Sequence, residues 1–82
     1  MSVRRSRMAT YKLLQEHREL LGWSIADLLG NLEGKRISER SVRRLEEGLP
    51  LRADSVNHIF NIVSKHFPSP LERREHIMLV QH

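Results

Sequence analysis

Three arginines crowd one short stretch of this chain, Ile37-Ser38-Glu39-Arg40-Ser41-Val42-Arg43-Arg44-Leu45-Glu46-Glu47-Gly48. A guanidinium stays charged at any physiological pH and presents a planar fork of donors. Its chemistry is recognition of anions and acceptor-rich edges, guanine above all, rather than proton or group transfer. Arg40 and Arg44 are four apart, so on a helix they share a face. Val42 and Leu45 point the other way. Glu39 lies beside the arginines; a carboxylate there can accept from a cytosine amine and repels phosphate. The plain alternative is a solvated charged face that recognises nothing.

Other chemistry finds little support. The five histidines, His17, His58, His66, His76 and His82, are scattered without metal-ligand spacing. No cysteine is present, which removes disulfides, thiol nucleophiles and Cys-ligated zinc. Neither a His-Glu-x-x-His pair, a glycine-rich phosphate loop nor a Gly-x-Ser-x-Gly elbow occurs. The expectation is a non-enzyme with no metal and no cofactor.

The elements that must hold the arginines in place can be read from caps and periodicity. Ser38 is a good N-cap, with Ile37 and Val42 at the two positions of a hydrophobic staple, and Gly48 closes the helix. The preceding Trp23-Ser24-Ile25-Ala26-Asp27-Leu28-Leu29 repeats the design. There Ser24 and Asp27 complete a capping box, Trp23 and Leu28 form the staple, and the helix ends near Leu32. Two capped helices joined by a short loop, the second one basic, make a helix-turn-helix pattern. An earlier helix is predicted over about Thr10–Leu21, with Leu13, Leu14, Leu20 and Leu21 inward and Gly22 as its stop. After the connector Leu49-Pro50-Leu51, a fourth helix over about Asp54–His66 places Val56, Ile59, Phe60 and Val63 on one stripe. Ser69-Pro70-Leu71-Glu72 reads as the opening of a fifth, and Ile77–Val80 as either its end or a short strand.

From about Leu13 to Val63 the chain resembles the Cro/C1-type (phage-repressor-like, XRE) helix-turn-helix family. The resemblance rests on Leu14 and Arg18, then Gly22-Trp23-Ser24 and Leu28-Leu29. It continues through Ile37-Ser38, Val42, Leu45-Glu46 and Gly48, and ends with Val56, Ile59 and Phe60. Three positions depart from the family pattern. Ile25 stands where a polar phosphate contact is usual, and Glu33-Gly34-Lys35-Arg36 lengthens the turn. His17 occupies an aliphatic core position. The resemblance implies an all-α fold, a compact domain of four to five helices of the lambda-repressor-like helix-turn-helix type. It implies that the third helix enters the major groove, with Glu39, Arg40 and Arg44 on base edges. Ser38, Ser41 and Arg43 would touch backbone, and Arg18 and Glu46 would form a structural ion pair between the first and third helices. Lys35, Arg36 and Arg52 are further phosphate candidates. So are Arg4, Arg5 and Arg7 of the basic start, if that start is an arm that follows the DNA rather than a disordered terminus.

The expected organisation is a basic flexible arm over residues 1–9, a DNA-binding domain over 10–67, and a C-terminal helix or tail over 68–82. Residues 1–52 hold eleven Lys/Arg and seven Asp/Glu, whereas residues 53–82 hold three of each, so the net +4 lies wholly in the first part. That placement suits steering toward nucleic acid. The longest apolar run, Ile77–Val80, is far too short to span a bilayer, and no secretory signal is present. The expected partner is double-stranded DNA, bound by a homodimer on a palindromic site, in the cytoplasm and on the nucleoid. Leu71–Val80 would supply a protein contact or close the core. The reading is a sequence-specific transcriptional regulator, a repressor by operator occupancy. Three others stay open: a DNA-binding antitoxin of a toxin–antitoxin pair, a protein-interaction module on the same fold, and an accessory factor for recombination or conjugation.

Overall fold

A computed structural model describes residues 7–32 and 37–80 of the chain. In order these form β1 (Met8–Tyr11), α1 (Leu14–Leu20), α2 (Ile25–Asn31), α3 (Glu39–Glu46), β2 (Leu51–Arg52), α4 (Ala53–Lys65), α5 (Arg73–His76) and β3 (Ile77–Leu79). The all-α expectation is therefore wrong. Among the described residues five helices share the fold with a three-stranded antiparallel sheet of order β2-β1-β3.

The sheet has a plain physical origin. Met8-Ala9-Thr10-Tyr11 alternates partly buried and buried residues, the period of a strand with one face on the core. Ala9 and Tyr11 are fully buried. Thr10 and Tyr11 thus belong to a strand and not to the first helix, which starts only at Leu14. Ala9 lies opposite Leu51 on one side and Leu79 on the other. Leu51 is accordingly part of a strand rather than a mere connector. Of the two readings of Ile77–Val80, the strand is the one realised over Ile77–Leu79. Backbone bonds extend the pairing: Val80 N–H donates to Met8 C=O at 2.8 Å, and Ala53 N–H to Arg7 C=O at 2.7 Å.

Starting α1 at Leu14 also corrects which leucines turn inward. Positions 14, 17, 18 and 21 follow the i, i+3, i+4, i+7 stripe. Leu14 and His17 are buried, whereas Leu20, one position off that stripe, is 70% exposed. The fifth helix is shorter than Ser69 and Pro70 suggested. It spans Arg73–His76, and no side chain caps it. The residues ahead of it are tied to α4 instead, because Leu71 N–H donates to Ser64 Oγ at 3.0 Å.

One core unites these pieces. Ala9 and Tyr11 of β1, Leu14 of α1, Leu28 of α2 and Leu32 meet Val42 and Leu45 of α3 and Val56, Ile59, Phe60 and Val63 of α4. Fully burying a Leu, Ile, Val or Phe side chain is worth about 1.5–3 kcal/mol each. This shared core is what holds α2 and α3 against the sheet and α4.

Candidate nucleic-acid interface

Helix α3 is built to present one face. Ser38 Oγ accepts from Ser41 N–H at 3.1 Å and so satisfies a donor that helix geometry leaves without a partner. Ser38 Oγ and Ser41 Oγ also lie 3.2 Å apart. At the far end Gly48 has φ +93°, the left-handed conformation that stops a helix. Val42 and Leu45 are fully buried. Glu39, Arg40, Arg43 and Arg44 are exposed. α2 is fixed alongside by its own cap, with Ser24 and Asp27 each accepting from the other's N–H at 2.9 and 3.1 Å.

The exposed charges are not equivalent. Arg43 donates through Nε to Glu39 Oε2 at 2.8 Å, and this i,i+4 pair is more than half exposed. It holds the two side chains together, contributes little to stability, and leaves Glu39 partly neutralised rather than standing alone beside the arginines. Arg40 and Arg44 form no ion pair among the described residues. Their forks are open to a ligand.

Behind this face lies an ion pair. Arg18 Nε donates to Glu46 Oε2 at 2.6 Å and Nη2 to Oε1 at 3.2 Å, the paired geometry that suits guanidinium and carboxylate. Nη1 donates to Trp23 C=O at 2.8 Å. The two side chains are 11% and 9% exposed. The Glu46 bond holds the guanidinium protonated, raising its pKa against the opposing effect of burial. One side chain thereby joins α1, the turn before α2 and the end of α3, fixing the angle at which α3 is shown.

The other candidates scatter. Arg52 is exposed on β2, and Arg7 is exposed just before β1. Arg4, Arg5, Lys35 and Arg36 lie outside the described residues.

A second constellation escaped the sequence reading. Tyr11 OH and His17 Nδ1 are 2.7 Å apart and buried. The His17 ring meets His76 edge-on at a centroid distance of 4.7 Å and Phe67 at 5.5 Å. Phe60 touches both Tyr11 and His76. Burial pushes the Tyr11 hydroxyl pKa well up. Burial, then the charge of His76, pushes that of His17 down, with Glu16 opposing. His17 stood out as a polar residue at a core position; nothing local marked His76 as its neighbour, because sheet pairing brings the two together.

No set of three His, Cys, Asp or Glu side chains able to hold a metal occurs among the described residues. None of their helices is long and apolar enough to cross a membrane. Comparison of the chain with protein-family models, with curated proteins and with solved structures gave no match.

Proposed function

We propose that this chain is a sequence-specific regulator of transcription that reads double-stranded DNA with α3, in the manner of the Cro/C1-type helix-turn-helix class it resembles. One observation carries the reading: Arg40 and Arg44 stand exposed and without ionic partners among the described residues, on the face opposite the buried Val42 and Leu45. Two forks on one helix face reach adjacent base edges together, and each good bidentate contact discriminates by about 1–3 kcal/mol. Arg43, tethered to Glu39, serves the backbone better than the bases. Ser38 and Ser41 lie at the helix start, where backbone phosphate is received.

A single module of this size buries little surface on DNA, so binding to a palindromic operator as a homodimer follows. The supporting feature is β3, an edge strand with Met78 61% and Leu79 47% exposed. In this reading the protein works on the nucleoid, in the cytoplasm, and represses by occupancy.

Selection of bound duplexes from a random library tests the proposal directly. The expected result is a two-fold symmetric motif whose half-sites carry guanine. Failure to retard any DNA at low salt, with a stable protein partner recovered instead, overturns it in favour of an interaction module.

A further inference from the structure

We propose that His17 and His76 form an acid-opened latch that holds the C-terminal α5–β3 segment onto the rest of the fold. The two rings lie edge to face, His17 buried on α1 and His76 half-buried at the end of α5. His17 Nδ1 is engaged by the Tyr11 hydroxyl. His76 Nδ1 is buried and has no hydrogen-bond partner among the described residues. A proton added to the His17 ring would place a charge in a buried, poorly hydrated site facing a second imidazole, which is costly.

Among the described residues nothing around the pair offsets that cost fully. From β1 the facing group is Tyr11, a phenol that keeps its proton. α4 and the turn after it offer Phe60 and Phe67, which carry no charge. His66, next to Phe67, is exposed and meets Trp23 edge-on instead. α1 itself contributes Glu16, an exposed carboxylate whose attraction for a His17 proton is outweighed by burial and by His76. The remaining charges of the segment, Glu72, Arg73, Arg74 and Glu75, are all exposed.

The segment carrying His76 is the part that gives way. α5 buries no residue, and β3 reads partly buried, exposed, exposed. α1, in contrast, is pinned by Leu14 in the core and by Arg18 on Glu46. Undocking α5–β3 uncovers the His17 imidazole, which hydrates and takes a proton while α2, α3 and α4 keep their shared core. Docking favours the neutral His17 ring, so the latch holds above the ordinary histidine pKa of about 6.5 and weakens as pH falls below it.

Amide hydrogen exchange on the full chain tests this. Val80 N–H, bonded to Met8 C=O at 2.8 Å, and Lys12 N–H, bonded to His76 C=O at 3.3 Å, report the latch. Val42 N–H, bonded to Ser38 C=O at 3.1 Å, reports the core. With intrinsic exchange corrected, protection at Val80 and Lys12 should fall by up to about tenfold per pH unit below about 6.5, one proton's worth, while Val42, which opens only with the whole fold, stays better protected at every pH. In His17→Phe, which keeps a ring in place, the fall should vanish. Constant protection at Val80 in the natural chain overturns the proposal. So does an equal fall in His17→Phe, or protection at Val42 no higher than at Val80. Should that variant not fold, the imidazole nitrogens can be titrated in the natural chain by NMR. Proton uptake by His17 that tracks the loss at Val80 supports the latch; uptake that leaves Val80 unmoved defeats it.

Discussion

Arg18 makes three donor contacts, two to the distant Glu46 and one to the carbonyl of Trp23 five residues on. Removing one member of such a pair leaves the other charge with no partner in a place that water hardly reaches. Glu46→Ala should destabilise the fold toward the low end of about 3–5 kcal/mol, since the pair keeps some exposure, and chemical denaturation measures it. Arg40→Ala and Arg44→Ala should behave oppositely. Both side chains are exposed and structurally idle, so folding should be nearly unchanged. Operator binding should weaken by about 1–3 kcal/mol, with preference relaxed at one or two base positions. Affinity for cognate and scrambled duplexes separates this from a silent solvated face; unchanged discrimination in both variants removes α3 as the reader. At this scale the sequence is legible where residues share one helix. The spacing of Arg40 and Arg44, and of Val42 and Leu45, suffices. Glu39 and Arg43 satisfy the same i,i+4 rule, and the spacing that relates Arg40 to Arg44 is the one that pairs them.

Helix ends carry a cost of their own. Gly48 sits at φ +93°, and a Cβ built there meets nothing within 4 Å. Any loss in Gly48→Ala is thus backbone strain alone, expected at about 1–2 kcal/mol in thermal or denaturant unfolding. A neutral result would mean that the α3–β2 turn relaxes to another conformation at no cost. The capped helices α2 and α3 and the striped α4 were visible in advance, because caps and a 3.6-residue period are local signals. The strands were not. β2 has two residues and β3 three, too few to establish a period, and each is recognisable only by its partner. Met8–Tyr11 does alternate, but its small and polar members hide the pattern beside the leucine-rich segment that follows.

For the molecule as a whole, the depressed His17 pKa gives stability a direction with pH. The unfolded chain binds the proton more readily than the folded one. Stability is therefore full above about pH 6.5 and declines as pH falls below it, levelling only under the folded pKa. Denaturation midpoints collected across that range should show the decline, and His17→Phe should flatten it. A midpoint independent of pH would show that the ring titrates freely. Assembly is the other property at this scale. Sedimentation across a concentration range should show a monomer–dimer equilibrium, shifted toward monomer by Leu79→Lys, since a charge on an exposed strand edge disfavours pairing. A monomer that binds DNA one copy per site contradicts it.

The strand order β2-β1-β3 also governs time. Ala9 must find Leu51 on one side and Leu79 on the other, so the first strand is completed only by the middle and the last. The α1–α2 and α2–α3 neighbours close short loops, which chains do quickly, while the pairing of β1 with β3 closes nearly the whole chain and pays the larger entropy. Refolding should place the recognition helix against its neighbours early and seal the sheet late. During that interval Met8–Tyr11 is a bare edge, the moment at which a second chain competes with the molecule's own C-terminal strand.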